Sequence, residues 1–501
     1  MLFARTCWSQ ANRHVIKHAG VRHHTASTIG LNAVIHCSPT TQDGLSPPFS
    51  CTLSGKALAI KDNIVTADLP TTAASRALTG YTSPFDATVV KLLRDHGAVI
   101  SSKTNLDEFG MGSHSLHSHH GAVSSPFSRN GKALSAGGSS GGSAVEVARG
   151  ACWAALGTDT GGSVRVPAAY CGVVGFKPSY GLLSRWGIIQ YANSLDTVGV
   201  IAGTVRDASD VFTILNKWDG RDPTSLCQTV RDRIHDRKGG RQGKGLKIGI
   251  PAEYNIEELS LIVRQAYIRT LRTLQRQGHT VRSVPLPTTR QALSAYYVLA
   301  PAEASSNLAK YDGVRYGHRT TGPNALPKAS LPLHAQTRGE AFGDEVKRRI
   351  LLGAYTLSSE AIDNYFIQAQ RVRRLVQQDF DRVFALSNPM TSSATPEKNQ
   401  AAGVDVLLTP TAPTLPPTLE EVQGQSSVES YMNDVFTVPA SLAGLPAISV
   451  PIKLDEVERE GLDEKDVRTV GMQLIGQFGD DQTVLDVAGV LEKAQQECPC
   501  R

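Results

Sequence analysis

Two glycine-rich segments carry serines that could act as nucleophiles. The first runs GGSSGGS from Gly137 to Ser143, and the second runs GTDTGGSVR from Gly157 to Arg165. A helix is predicted to begin at Ser143, and a glycine-rich turn before a helix presents backbone N–H groups to an oxyanion. Taken alone, GGSSGGS is equally typical of a flexible linker. It is not a P-loop, because the Gly-Lys-Ser/Thr ending is missing.

The second segment places Ser163 directly after three residues with little side-chain bulk. Glycine has no Cβ to obstruct a substrate carbonyl, so the N–H groups of Thr160, Gly161 and Gly162 can form an oxyanion hole. Ser163 is then in position to act as a nucleophile. No GxSxG elbow surrounds this serine, which argues against an α/β-hydrolase.

A serine nucleophile needs a base, and Lys61 is the candidate. It ends an apolar strand predicted from Gly55 to Lys61, and burial would lower the pKa of its amine toward a useful range. A strand-end lysine that reaches solvent is the alternative, and the local sequence alone favours it. Asp62 would point to the opposite face of the strand and brace it. Asp159 and Arg165 are expected to form a buried pair that braces the second segment.

The strand-borne lysine, the GGSSGG segment and the TDTGGSVRVPA segment, in this order, resemble the hallmarks of the amidase signature family. The resemblance extends over nearly all of Gly55 to Glu497. It implies that Ser163 is the nucleophile, that Ser139 passes the proton to Lys61, and that the peptide bond before Ser139 is cis. It also implies an α/β fold with a large central mixed β-sheet flanked by helices on both faces.

Segments outside the signature resemble one branch of that family, the A subunits of glutamyl-tRNA(Gln) amidotransferases. They include FGMGS from Phe109, FKPSYG from Phe176, YDGVRYG from Tyr311, EVKRRI from Glu345 and YMND from Tyr431. The resemblance implies that free glutamine is the ammonia donor.

Glutamine requires a cation for its α-carboxylate and an anion for its α-ammonium group. Arg349 can bind a carboxylate through two hydrogen bonds, Asp434 can pair with the ammonium group, and Tyr297 can line the pocket. The alternatives are a solvated arginine within the basic Lys347–Arg349 run, a helix cap for Asp434 and a core aromatic for Tyr297.

The resemblance further implies a reaction divided between subunits. A B-type subunit would use ATP and Mg²⁺ to activate the glutamate of Glu-tRNA(Gln), and a small third subunit would complete the complex. No ATP-binding loop is present here, and neither a cofactor nor a metal is expected on this chain. Two other functions stay open: a stand-alone hydrolase of another small amide, and a non-catalytic scaffold.

The N-terminal segment differs from the rest in composition. From Met1 to Gln42 it holds Arg5, Arg13, Lys17 and Arg22 but no acidic residue, and these cations account for most of the formal charge of +5. The nearly neutral remainder implies that partners supply the positive charge that tRNA needs. We expect residues 1–30 to be a mitochondrial transit peptide that directs the chain to the matrix, with a disordered tail as the alternative. Residues 31–501 are expected to form a single amidase domain without a membrane span.

Helix and strand patterns alternate along that domain, as in helices packed on a sheet. A helix from Pro84 to His96 is predicted to lead into a strand at Ala98–Ile100, and a second from Glu257 to Gln277 into Thr280–Val284. Two polar segments are predicted to be surface insertions. Ser113–Asn130 contains four histidines, for which a solvated loop is favoured over a metal site, and the other insertion is Ser387–Gly403.

Overall fold

The computed structural model describes residues 30–38, 52–237, 245–321, 333–391 and 403–495. Nearly all of the expected transit peptide and most of the 387–403 insertion lie outside the described residues.

One mixed sheet of eleven strands organises the described chain. Together with two strands outside this sheet, the strands of the described residues are β1 (Val34–Cys37), β2 (Ala57–Lys61), β3 (Val99–Thr104), β4 (Ser124–Arg129), β5 (Lys132–Ser135), β6 (Ala154–Asp159), β7 (Val174–Lys177), β8 (Thr197–Ala202), β9 (Lys247–Pro251), β10 (Thr280–Val284), β11 (Val406–Pro410), β12 (Ala447–Lys453) and β13 (Thr469–Gly476). The order in the sheet is β1-β3-β2-β6-β8-β7-β12-β13-β11-β9-β10, and β4 and β5 form a separate hairpin.

Helices cover both faces of this sheet. They are α1 (Thr88–Asp95), α2 (Gly141–Ala148), α3 (Arg165–Cys171), α4 (Val205–Leu215), α5 (Gln228–Asp236), α6 (Leu261–Arg276), α7 (Ala292–Asn307), α8 (Ala335–Ala341), α9 (Asp344–Thr356), α10 (Phe366–Val383), α11 (Leu419–Gly424), α12 (Ser427–Met432), α13 (Val438–Leu442) and α14 (Asp481–Ala494). None of the described helices combines the length and the apolar composition that crossing a bilayer requires.

Side-chain alternation along the strands explains the two covered faces. Leu58 and Ile60 on β2 join the core that includes α1, α4 and α14, whereas Ala59 between them packs in the core of α2 and α3. Successive side chains of a strand point to opposite faces, so a strand that is buried on both sides reads as a continuous apolar run. The predicted α/β fold with a large mixed sheet and helices on both faces is confirmed.

Parallel pairing brings the loops of the candidate residues to one edge of the sheet. β2 lies between β3 and β6 and runs parallel to both. The carboxyl ends of these strands therefore meet at the same edge, where α/β proteins commonly place their sites. β8 runs antiparallel to β6, which brings Asp196, just before β8, to the same edge.

The GGSSGGS segment is part of the packed interior and not a linker. Helix α2 begins at Gly141 within it, and every residue from Gly137 to Ser143 is buried. A Cβ on Gly142 would lie 2.4 Å from the carbonyl oxygen of Ala33 and 2.5 Å from that of Asn105. Glycine is therefore required for the chain to pass this close to two other backbone segments.

The prediction of a solvated loop over Ser113–Asn130 is wrong in part. Ser113, His114 and Ser115 are buried, and the end of the segment forms strand β4. Polarity suggested a surface position, but these side chains are satisfied by hydrogen bonds inside the protein, which removes the cost of burying them. Within the described residues no cluster of His, Cys, Asp and Glu has the arrangement of a metal site.

Candidate active site

Lys61 contacts Ser139 at the end of strand β2. Its Nζ donates to Ser139 Oγ at 2.8 Å, to Thr158 Oγ1 at 3.0 Å and to the Thr158 carbonyl oxygen at 3.3 Å. The side chain is 0% exposed, so the alternative of a solvated strand-end lysine is wrong. Asn63 donates to Thr158 Oγ1 at 3.0 Å and holds this hydroxyl beside the amine.

Burial gives Lys61 the electrostatics of a base. Desolvation lowers the pKa of its amine to about 7, against the opposing influence of Asp107, Asp159 and Asp196. A neutral amine is therefore accessible near physiological pH, within hydrogen-bonding distance of a serine hydroxyl. This arrangement is suited to general-base catalysis.

The loop that carries Ser139 is held by Asp107. The peptide bond between Gly138 and Ser139 is cis, as the family resemblance implies. The Ser139 carbonyl accepts the Asp107 N–H at 3.3 Å, and a Cβ on Gly138 would lie 2.3 Å from Asp107 Oδ2. Asp107 Oδ2 also accepts the Ser115 N–H at 2.8 Å. These contacts fix the position of the hydroxyl that Lys61 touches.

Ser163 lies in the turn between strand β6 and helix α3, next to the Ser139 loop. Its carbonyl accepts the Ser140 N–H at 3.1 Å, and Ser140 Oγ donates to the Thr158 carbonyl oxygen at 3.3 Å. Both serine-bearing loops are therefore tied to the end of β6, where Lys61 also donates. The structure brings the three predicted residues, Lys61, Ser139 and Ser163, to one place.

The glycines before Ser163 are sterically required. Gly162 has a φ of 150°, and a Cβ there would lie 2.3 Å from Thr437 Oγ1. Thr437 Oγ1 donates to the Gly161 carbonyl at 2.6 Å. Because the C=O and N–H of one peptide point in opposite directions, the Gly162 N–H is turned away from Thr437. Neither Gly161 nor Gly162 donates its N–H to another described residue, which leaves both donors available to an oxyanion.

Thr160 contributes a side-chain anchor to the same turn. Its Oγ1 donates to Asp196 Oδ1 at 2.8 Å, and Asp196 also accepts the N–H groups of Tyr191 and Ala192. The turn is thus fixed to the segment that leads into strand β8.

Asp159 and Arg165 form the buried brace that the sequence predicted. Arg165 Nη2 lies 2.9 Å from Asp159 Oδ1, and both side chains are fully buried. Burial by itself would raise the pKa of Asp159, but the Arg165 guanidinium and its hydrogen bonds hold this pKa below its ordinary value. Arg165 also donates to Gln473 and Ser441. A buried pair with its remaining hydrogen bonds satisfied rigidifies the loop around Ser163.

Tyr297, Arg349 and Asp434 converge beside this turn. Tyr297 OH donates to Asp434 Oδ2 at 3.2 Å, and the Arg349 guanidinium lies 5.6 Å from the centroid of the Tyr297 ring. Tyr296, the neighbour of Tyr297, is 2.7 Å from where a Cβ of Gly161 would stand. The three residues that the family resemblance assigned to glutamine therefore border the turn of Ser163.

Arg349 is a buried arginine and not the solvated one of the alternative. Its Nε lies 2.7 Å from Glu345 Oε1, and its Nη1 donates to Tyr191 OH at 2.6 Å. Its Nη2 makes no hydrogen bond with any described residue. A guanidinium held on two sides with a third donor open is suited to bind a carboxylate.

Asp434 is not a helix cap. Its Oδ2 accepts from Ser113 Oγ at 2.7 Å as well as from Tyr297. Burial raises the pKa of Asp434 to about 6, although the hydrogen bond from Ser113 and the charge of Arg349 act in the opposite direction. The carboxylate is therefore mostly ionised near neutral pH and can pair with an ammonium group.

Sequence reasoning missed the residues that hold this pocket together. His114 is buried between Ser135 Oγ, 2.9 Å from its Nδ1, and Asn433 Nδ2, 2.5 Å from its Nε2. The amide of Asn433 donates to Nε2, so the imidazole carries its proton on Nδ1 and donates to Ser135. Burial lowers the pKa of His114 to about 4, which keeps this bridge neutral. No sequence signal distinguished His114 from His117, His119 and His120, which follow it and are exposed or half-buried.

The chain belongs to the amidase family. A family model described as Amidase matches residues 49–485, which is most of the chain.

Relatives narrow the comparison within that family. The A subunit of the mitochondrial glutamyl-tRNA(Gln) amidotransferase of Ajellomyces capsulatus is 57% identical over 466 residues, covering 88% of this chain and 89% of that protein. The protein of the same name from Coccidioides posadasii is 57% identical over 452 residues, with the same coverage of 88% and 89%. The crystal structure of the A subunit of glutamyl-tRNA(Gln) amidotransferase from Thermotoga maritima is 35% identical, with a TM-score of 0.70, and covers 92% of this chain and 87% of that one.

The lowered pKa of Lys61 predicts how amide hydrolysis depends on pH. If the neutral amine is the active form, the rate at saturating substrate should rise roughly tenfold from about pH 6 to about pH 8 and then level off. Steady-state ammonia release across this range measures it. Lys61→Arg, which stays protonated, should be inactive throughout. A wild-type rate that falls as the pH rises would mean that the protonated lysine is the active form, and a flat rate would mean that the ionisation of Lys61 does not control hydrolysis.

Proposed function

We propose that this chain is the glutamine-hydrolysing subunit of a mitochondrial glutamyl-tRNA(Gln) amidotransferase, a carbon–nitrogen ligase that uses glutamine as amido donor. The convergence of Arg349 and Asp434 on the turn of Ser163 carries the proposal. A buried cation and a buried anion in one pocket match the carboxylate and ammonium groups of an α-amino acid. The names of the similar proteins reported above agree with this function.

The proposed chemistry divides hydrolysis into two acyl-transfer steps. Ser163 Oγ attacks the γ-carboxamide carbon of glutamine while its proton passes to Ser139, whose own proton passes to neutral Lys61. The negative oxygen of the tetrahedral intermediate accepts hydrogen bonds from the N–H groups of Thr160, Gly161 and Gly162. Return of the proton to the leaving nitrogen releases ammonia and leaves a γ-glutamyl ester on Ser163. Water, activated by the same relay, then hydrolyses the ester to glutamate and regenerates the serine.

Use of the ammonia belongs to partner subunits in this proposal. With ATP and Mg²⁺, the glutamate of Glu-tRNA(Gln) is activated by a B-type subunit, and ammonia converts it to Gln-tRNA(Gln). A small third subunit completes a heterotrimer. The chain itself carries a formal charge of only +5, much of it in the N-terminal segment, which supports a role in which partners contact the tRNA phosphates.

The proposed location is the mitochondrial matrix. The similar fungal proteins are named as mitochondrial. The basic, acid-free composition of residues 1–30 supports the transit peptide.

Two other functions are less consistent with the pocket. A stand-alone hydrolase of fatty or aryl amides would need apolar residues in place of Arg349 and Asp434. An apolar substrate offers no charged group to pair with these two buried side chains. A non-catalytic scaffold would not need the contact between Lys61 and Ser139.

Loss of the nucleophile should separate the two half-reactions. Ser163→Ala in the assembled complex should abolish glutamine-dependent formation of Gln-tRNA(Gln), whereas ammonium salts should restore it, because the later steps lie on a partner. Assays of the conversion of Glu-tRNA(Gln) to Gln-tRNA(Gln), with glutamine or with ammonium as the nitrogen source, measure the two activities. The isolated chain should not amidate Glu-tRNA(Gln) even with ATP and glutamine. A Ser163→Ala complex that stays inactive with excess ammonium would show that the serine does something other than release ammonia.

Removal of the carboxylate-binding cation should weaken glutamine binding. Arg349→Ala should raise the KM for glutamine about tenfold or more, since a hydrogen bond to a charged group contributes roughly 1.5–3 kcal/mol. Ammonium-driven amidation in the same complex should be unchanged. Lys347→Ala is the matched control, because Lys347 lies on the same helix and its side chain is 40% exposed. An unaltered KM in Arg349→Ala would remove Arg349 from the substrate site.

A further inference from the structure

Glu345 lies one helical turn before Arg349 on helix α9 and is the common partner of two arginines. Its Oε1 accepts from Arg349 Nε at 2.7 Å, and its Oε2 contacts Arg348 Nη2. The Glu345 side chain is only 6% exposed. A carboxylate buried to this extent needs paired cations to offset its desolvation, and both of its oxygens are occupied by guanidinium groups.

The first of these contacts fixes the orientation of Arg349. Glu345 holds Nε on one side of the guanidinium, and Tyr191 OH holds Nη1. The ring of Tyr191 also lies under the cation, 5.7 Å from its centroid. Because the guanidinium is planar and rigid, fixing Nε and Nη1 also determines where Nη2 points. The hydrogen bond to Glu345 therefore helps to set the direction of Nη2, the open donor of Arg349.

The second contact connects Glu345 to the tyrosines beside Asp434. Arg348 Nη2 donates to Tyr431 OH at 3.1 Å, and the Tyr431 ring stacks on that of Tyr297 with centroids 3.7 Å apart and planes at 22°. Tyr297 in turn donates to Asp434. Glu345 is therefore linked through Arg348 to the stacked tyrosines that position the anionic end of the pocket.

From these two links we infer that Glu345 is a positioning residue. Through Arg349 and through Arg348–Tyr431 it holds the groups that bind the α-carboxylate and α-ammonium ends of an amino-acid substrate. The inference rests on the proposed function, since it presupposes that Arg349 and Asp434 bind those ends. Glu345 itself does not touch the reacting amide, so its loss affects substrate binding and leaves the chemical step intact.

The preceding residue provides a matched comparison. Asp344 is also an acidic residue in the first turn of α9 and pairs with Lys347 at 2.8 Å, but its side chain is fully exposed at 100%. Any general effect of a negative charge at the helix N-terminus is therefore shared by both positions. Of the two, only Glu345 is buried and pairs with Arg349 and Arg348.

The test compares Glu345→Gln with Asp344→Asn in the assembled complex. Glu345→Gln should raise the KM for glutamine about tenfold or more, the effect of losing a charge-assisted hydrogen bond, with kcat within about threefold of wild type. Asp344→Asn should change neither. Ammonium-driven amidation should be equal in both variants and wild type. A KM that stays at the wild-type value, or a fall in kcat at constant KM, would overturn the inference.

Two further variants make the test decisive. If Glu345→Gln does not fold, Glu345→Asp carries the test: its KM must rise while kcat is kept, and an unchanged KM overturns the inference. In an Arg349→Ala background, Glu345→Gln should add less than it does alone. If Arg349→Ala raises the KM but Glu345→Gln does not, only the role of Glu345 is wrong. If Arg349→Ala itself leaves the KM unchanged, the proposed glutamine site is wrong.

Discussion

A lysine amine buried without a direct ionic partner is the constraint on which the rest of the site depends. Lys61 is fully buried and makes no ion pair within the described chain; its hydrogen-bond partners are the uncharged oxygens of Ser139 and Thr158. The carboxylates that influence it are engaged elsewhere, as Asp159 is with Arg165. Removing a cation from water without pairing it favours the neutral amine. The fold thereby provides a base at the end of a strand.

The neighbouring strand shows the contrasting case. Lys103 on β3 is also fully buried, but Asp62 lies 3.2 Å from its amine and Thr71 accepts from it at 2.6 Å. Asp62 also accepts the N–H and the hydroxyl of Thr72. Successive residues at the end of β2 point to opposite faces, so Lys61 lies on one face and Asp62 on the other. Asp62 therefore forms its ion pair with Lys103, and Lys61 has no ionic partner in the part of the chain that the structure describes. This is the bracing role that the sequence predicted for Asp62.

The extent to which the site could be predicted depended on how local its signals are. Lys61 and the two serine segments lie at strand and helix ends whose periodicity is visible in the sequence. Glu345 had a local signal too, its i,i+4 spacing to Arg349. The contact from Ser113 to Asp434 had none, because it joins residues 321 positions apart. The polar residues around His114 indicated a surface loop, yet His114 is buried and its hydrogen bonds are made to residues distant in the sequence. Likewise, no sequence signal indicated that Thr437 fixes Gly161.

Proton transfer from Ser163 to Lys61 through Ser139 is the central claim, and it predicts both where and how fast an acyl group forms. The direct measurement is rapid quenching of the assembled complex with glutamine, followed by peptide-resolved mass spectrometry of wild type and Lys61→Ala. We predict a γ-glutamyl ester on the peptide that holds Ser163. In Lys61→Ala this ester should form at least a hundredfold more slowly, which is roughly the contribution of one general base. An ester on Ser139, or equally fast acylation of Ser163 without the lysine, would contradict it.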